Sequence, residues 1–275
     1  MSRIKIITDS TSYIKKEFAD REGISIVELN YTFDGQIEKE GFPGEFQDFF
    51  DKLSSTKLFP TTSQPSTGEF LAEFEKAFDE GYDQVIAILL SSKLSGTYNS
   101  GILAKDMLED ERITIIDSMQ AASNLRFLVE DALEMASMGR TMEEIAMHIE
   151  AKKQNMSIYV TVDTLEYLRR GGRLTGLQST IGEVLKIKPI IQLHDGKLEL
   201  LEKVRGKNKA IKTIMEKIPE DVQKISICHI LNEEEAIKLE QNLKSRFDKV
   251  EISIDELGPV VGCHLGPKAI GICFY

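Results

Sequence analysis

Four short runs of β-branched and other apolar residues punctuate the first half of the chain: "RIKIIT" at 3–8, "ISIVEL" at 24–29, "QVIAILL" at 84–90 and "RITIID" at 112–117. Between them lie longer stretches whose apolar residues recur at helical spacing. In "GEFLAEFEKAFDEGY" the residues Phe70, Phe74 and Phe78 stand four apart, Leu71 lies beside them, and Gly81 follows where a helix should stop. In "QAASNLRFLVEDALEMASMG" the stripe is Ala121, Leu125, Leu128, Ala132 and Met135, ending near Gly139. Such a Met and Leu stripe is the core face of a helix. Strands alternating with helices predict βαβ units and a mostly parallel sheet.

The second half alternates differently. "KPIIQLHDGKLELLEKV" reads as two strands joined at Asp195-Gly196, a dipeptide that favours a tight hairpin. A helix "KNKAIKTIMEKI", a strand "KISICHI", a charged helix "NEEEAIKLEQNLKSRF", a strand "KVEISI" and a last strand "AIGICFY" follow. The change of texture predicts two α/β domains, residues 1–155 and 156–275, with the boundary near Asn155. No repeat or low-complexity linker separates them, so the halves are expected to pack closely.

At 275 residues the chain is long enough for two cores, and its 41% hydrophobic, 29% charged and 7% aromatic content is that of a globular protein. A net charge of −11, from 34 Lys+Arg against 45 Asp+Glu, argues against a nucleic-acid partner. The densest basic stretch, "RRGGRLTG" at 169–176, holds only three Arg. No run approaches the roughly 20 apolar residues of a bilayer helix, and no cleavable apolar segment follows the N-terminus, so a cytoplasmic protein without membrane insertion is expected. Cys228, Cys263 and Cys273 are odd in number, never spaced CxxC, and lie in or beside apolar runs, which predicts reduced core thiols.

Ligands of open parallel sheets bind at the carboxyl ends of the strands. Here those ends carry Asp9-Ser10-Thr11-Ser12, then Ser91, Ser92, Ser95 and Thr97, then Asp117 and Ser118. "LSSKLSGTYNS", from Leu90 to Ser100, also opens a helix at Ser95-Gly96-Thr97, whose free N–H groups suit a carboxylate or phosphate. Each serine could equally cap its own helix or close a turn. In "FPTTSQPSTGEF", Ser66 and Glu69 form a capping box, leaving Thr61, Thr62 and Ser63 in a stiff polar segment before Pro65.

Of the four histidines, His148 falls on a charged helix, His194 beside the hairpin turn and His229 in an apolar strand. Only His264, in "GPVVGCHLGPKAIG", sits as a loop-presented residue would. A Ser95–His264 pair keeps an acyl hydrolase or transferase open, although no GxSxG elbow and no third acidic member accompany it. A phosphate or phosphosugar site at Ser95 and "RRGGRL" also stays open, without GxxxxGK[ST] or GxGxxG. Adjacent Cys263 and His264 do not make a zinc pattern.

Taken together, "TDSTS", "TTSQPSTGEF", "LSSKLSGTYNS", "IDSMQ", "YLRRGGRL", "LKIKPII", "DGKLELLEKVRGKNKA" and "HLGPKAIG" resemble, in order and over nearly the whole chain, the DegV family of bacterial fatty-acid-binding proteins. That resemblance implies two α/β domains with a long-chain fatty acid buried in a tunnel between them as ligand, and no cofactor. It implies that Thr62 and Ser95, with neighbours Ser63 and Gly96, meet the carboxylate from the first domain and His264 from the second. It further implies a non-catalytic carrier serving a separate ATP-dependent fatty acid kinase, which makes an acyl phosphate for phospholipid synthesis. Arg205 and Arg173 resemble the surface that docks the kinase. The sequence departs from the family at Leu265, after the histidine, and at Lys268, after the proline.

Overall fold

The computed structural model describes residues 2–56, 58–175 and 187–275. Gly176, Leu185 and Lys186 of the motifs quoted above lie outside the described residues. The four apolar runs of the first half form one parallel sheet in the order Ser25–Val27, Ile4–Asp9, Gln84–Leu89, Ile113–Asp117. Continuous runs suit this sheet because both of its faces are covered. Alternate residues serve opposite cores. Ile7, Val85, Ala87 and Leu89 pack with Phe70, Phe74 and Ala77 of the helix Thr67–Asp79. Ile6, Ile86 and Ile88 pack with Leu125, Leu128 and Ala132 of the helix Ala122–Ser137.

Both helices end near where glycine predicts: Gly81 and Gly139 take left-handed backbone, φ 81° and 75°. The Ser66–Glu69 capping box is present. Asp195 and Gly196 are both left-handed, φ 46° and 74°, and join Ile187–His194 to Lys197–Arg205 as a hairpin.

That hairpin belongs to a seven-stranded mixed sheet in the order Glu251–Glu256, Lys224–His229, Ile270–Phe274, Ser157–Thr161, Ile187–His194, Lys197–Arg205, Leu174–Thr175. One face carries Ile190, Ile225, Ile227, Ile270 and Ile272 against the helices Lys207–Glu216 and Glu233–Arg246. The other face, with Val160, Ile191, Cys228 and Cys273, turns toward Tyr13, Phe46 and Ala122 of the first half. That inner face packs on loops and helices of the first half, not on its parallel sheet, whose own two faces are covered by helices.

A third sheet was not foreseen: Asn30–Phe33 lies between Gln36–Lys39 and Thr61–Ser63, all antiparallel. The stiff polar segment around Thr62 is therefore an edge strand. His264 also departs from expectation. It sits in the last turn of a helix, Pro259–Leu265, rather than in a loop, because Pro259 at the first helical position starts it and left-handed Gly266 ends it.

Candidate functional site

Most of the hydroxyls at the carboxyl edge of the parallel sheet hold loops together. The Asp9 carboxylate accepts from the Leu90 N–H at 2.7 Å and from the Thr11 N–H and hydroxyl at 3.0 and 2.5 Å. Asp117 accepts from the Ser92 and Met119 N–H groups, and Ser118 closes a turn onto the Gln120 carbonyl. The Ser91 hydroxyl crosses to the second half, donating to the Gly196 carbonyl at 2.8 Å. These contacts hold turns and loops at that edge, and Ser91 also ties the two halves together.

Thr11, Thr62 and Ser95 differ, because all three line a cavity between the segments at the carboxyl edge of the parallel sheet and the inner face of the seven-stranded sheet. It encloses about 860 Å³, its open mouth included. Its wall is almost wholly apolar, with Leu29, Leu90 and Val260 among the residues on one side and Ile158, Leu193 and Leu198 on the other. That lining suits a site for an apolar ligand.

The polar groups gather in one place. Thr62 Oγ1 lies 3.0 Å from His264 Nε2. Arg173 donates through Nη1 to the Gly171 carbonyl at 2.6 Å and through Nε to the Leu94 carbonyl at 3.2 Å. Ser95 follows Leu94, its Oγ 2.9 Å from Thr97 Oγ1 and accepting from the Thr97 N–H. Close packing fixes the imidazole: a Cβ on Gly171 would stand 2.1 Å from His264 Nδ1, so only glycine admits the ring there. Gly96 is the N-cap of the helix Thr97–Leu108, and a Cβ on it would meet the Gln64 amide at 2.6 Å.

Burial, aided by the Arg173 guanidinium, pulls the His264 pKa down to about 4. The ring is therefore neutral at pH 7, and its buried Nδ1 has no hydrogen-bond partner among the described residues. With the proton on Nε2, the imidazole donates to Thr62 Oγ1 and leaves the threonine hydroxyl hydrogen free for an anion. Thr62, Ser95 and Arg173 can then all serve a carboxylate entering from the cavity.

The helix bearing His264 is gripped from the first half. Glu40 is 3% exposed and accepts from Ser10 Oγ at 2.5 Å, the Val260 N–H at 2.9 Å and the Tyr13 hydroxyl at 3.1 Å. Burial raises its pKa to about 7, and likewise raises that of Asp9 to about 6. No short-range signal in the sequence points to Glu40, which meets Val260 across 220 positions.

The structure thus brings Thr62, Ser95, His264 and Arg173 together at the cavity. Arg173, read by resemblance as part of the kinase-docking surface, is among the residues that line the cavity. Ser63 is exposed on the edge strand beside Thr62, Arg205 is exposed at the end of the hairpin, and neither is among the lining residues. Leu265 lines the cavity, whereas exposed Lys268 does not. The Ser95–His264 pair of the hydrolase reading is not formed: the imidazole contacts Thr62, and Ser95 contacts Thr97. The other three histidines have ordinary places: His148 pairs with Asp131, His194 lies at the hairpin end, and His229 is buried in its strand. All three cysteines are free and buried. Among the described residues there is no cluster of three or more metal-binding side chains, and no helix long and apolar enough to cross a membrane.

Residues 3–275 match the family described as "Uncharacterised protein, DegV family". A DegV domain-containing protein of Halalkalibacterium halodurans is 36% identical over 280 residues, covering 100% of this chain and 99% of its own. The crystal structure of DegV from Bacillus subtilis, described as a fatty acid binding protein, superimposes with a TM-score of 0.90 at 34% identity, covering 100% of this chain and 99% of that one. A stearic acid-binding protein from Eubacterium ventriosum gives a TM-score of 0.87 at 27% identity, covering 100% of this chain and 98% of its own.

Proposed function

The chain belongs to the DegV family, and from that premise we propose that it holds one long-chain fatty acid in this cavity and presents its carboxylate to a separate ATP-dependent kinase. The carrying observation is an almost wholly apolar cavity whose polar groups are gathered at Thr62, His264, Ser95 and Arg173. Burying about fifteen methylenes at ~0.8 kcal/mol each gives roughly 12 kcal/mol before ordering costs, enough for tight retention. The carboxylate needs donors in so dry a place, because an unpaired buried charge is prohibitively costly. Hydroxyls and a guanidinium supply them, and they can turn to serve an acyl phosphate as well.

On this reading the protein is a carrier without catalysis of its own. Residues 1–155 and 156–275 act as two units that share the ligand, Thr62 and Ser95 from one and Arg173 and His264 from the other. The kinase supplies ATP, the bound carboxylate oxygen attacks its terminal phosphorus, the bond from that phosphorus to the bridging oxygen breaks so that ADP leaves, and the carrier keeps the acyl phosphate for lipid synthesis. Arg205, outside the cavity, is the docking residue.

Native mass spectrometry of the purified protein, followed by organic extraction, tests the reading. The expected result is one fatty acid per chain, identified on release. A protein that stays empty after incubation with stearic acid removes the proposal. Hydrolysis of a chromogenic acyl ester, lost in Ser95→Ala, would replace the carrier by a hydrolase.

A further inference from the structure

Two of the three thiols face each other at the cavity wall. Cys228 and Cys273 lie on the adjacent strands Lys224–His229 and Ile270–Phe274, both line the cavity, and their sulfurs are 3.5 Å apart. The register opposes Cys228 to Gly271 and Cys273 to Ser226, so the thiols meet on the diagonal of the ladder.

Their surroundings are unequal. Cys228 Sγ lies 3.1 Å from the Ser123 hydroxyl and 3.7 Å from that of Ser226. The hydrogen bond from Cys273 holds the Cys228 thiol below its ordinary pKa against burial and the nearby Asp255, to which the Ser123 and Ser226 hydroxyls donate. Hydrogen bonding to Cys228, together with burial, pushes Cys273 the other way. One sulfur is thus favoured as the nucleophile and its neighbour as the protonated partner, the division of roles a reactive dithiol needs. Cys263 is different: it sits in the His264 helix outside the cavity lining, and burial with Glu40 nearby raises its pKa.

We propose that Cys228 and Cys273 form a peroxide-reactive dithiol that an acyl chain in the cavity shields, so that the empty protein is oxidised and the loaded protein is spared. The shielding half of this inference rests on the fatty-acid reading above. The co-reactant is hydrogen peroxide. Cys228 sulfur attacks one peroxide oxygen, the O–O bond breaks, and the other oxygen leaves as water after taking up a proton. Cys273 sulfur then attacks the Cys228 sulfenic acid, the S–O bond breaks, and a second water leaves with the Cys273 proton. Two thiols give up two electrons and two protons, and one peroxide becomes two waters. Closing the disulfide draws the sulfurs from 3.5 Å to about 2.05 Å across two strands that are already hydrogen-bonded neighbours.

The test compares protein stripped of lipid by a hydrophobic resin with the same protein reloaded with stearic acid. Both are treated with hydrogen peroxide, quenched with catalase, unfolded and alkylated, and peptides are mapped by mass spectrometry. Native mass spectra taken beforehand record whether stearate is bound. In the stripped protein Cys228 and Cys273 are expected to appear linked, dithiothreitol to release them, and Cys263 to be alkylated throughout. Linking is expected to be at least about tenfold slower in the loaded protein. Cys228→Ser should leave Cys273 alkylated.

Equal linking rates in two samples whose spectra differ in bound stearate would overturn the shielding. Cys228 and Cys273 remaining alkylatable in the stripped protein, at peroxide levels that oxidise a free dithiol, would overturn the dithiol itself while leaving the fatty-acid reading intact. Absence of stearate from the native spectra would instead remove the fatty-acid reading, and with it the shielding; the linking of Cys228 to Cys273 in stripped protein would still be decided by its own result.

Discussion

In the proposed head-group site Thr62 offers a single hydroxyl, whose one hydrogen-bond partner among the described residues is the His264 imidazole nitrogen. Thr62→Val keeps the branched shape and removes the donor. Stearic acid affinity is expected to fall about tenfold or more, the worth of one hydrogen bond to a charged group, with little change in thermal stability; isothermal titration and a melting curve check both. His264 gives the site a pH signature. Its folded pKa of about 4 is below the ordinary 6.5, so the folded state binds fewer protons than the unfolded chain between those values. Its contribution is complete above pH 6.5 and declines as pH falls toward 4, by up to about 3 kcal/mol. Glu40 and Asp9 act in the opposite direction, their raised pKa values favouring the folded state as pH falls below about 7 and 6. The His264 term is therefore read as a difference: subtracting the pH profile of His264→Gln from that of the parent should leave a loss confined to pH 6.5–4. A flat difference would mean that the ring is solvated in the folded protein. Thr62 and His264 were visible in the sequence as leftover polar residues in stiff or glycine-rich settings. That Arg173 lines the cavity was not visible, because nothing local in the sequence marks an arginine as cavity-lining.

At the scale of elements, the long ones were legible because each carries its own periodicity and its own stop. The short ones were not. "GPVVGCHLGP" looked like a loop for its glycines and prolines, yet Pro259 and Gly266 are the start and stop of a seven-residue helix. Thr61–Ser63 is a three-residue strand defined only by its partner Asn30–Phe33, thirty positions away. Such elements are made by tertiary partners, and Glu40 is the clearest of these. Glu40→Ala leaves three buried donors, on Ser10, Tyr13 and Val260, without an acceptor. At about 1–3 kcal/mol per orphaned group, partly relieved by relaxation, a loss of roughly 3 kcal/mol is expected, read from urea denaturation. Gly171→Ala acts on the same imidazole from the other side. A methyl group 2.1 Å from Nδ1 forces the ring away from Thr62. Fatty-acid retention is expected to drop more steeply than in Thr62→Val, and unchanged retention would place the carboxylate elsewhere.

Over the whole molecule, the parallel sheet could be read from the sequence because both of its faces are buried, which turns its strands into unbroken apolar runs. The closure of the two halves could not, since it depends on pairs far apart in the chain. Ser123 and Arg126, from the first half, bond Asp255 in the second, where Ser226 also donates. This polar junction lies on the same sheet face as the cavity wall. On the carrier reading proposed above, the outer surface of this acidic protein, net −11, would have to present a docking site to the kinase. Arg205 offers a combination typical of docking anchors: a guanidinium in register opposite Ile187, an isoleucine left 40% exposed. An acidic patch on the kinase would meet the guanidinium, and the apolar neighbour would give the contact area. Arg205→Ala should leave stearic acid retention unchanged while lowering its ATP-dependent phosphorylation by the partner kinase about tenfold. Because the contact is exposed, added salt should weaken phosphorylation of the parent protein more than that of the variant. If Arg205→Ala instead releases the lipid, the residue belongs to the fold of the cavity, and the docking surface must be sought around the mouth at Arg173.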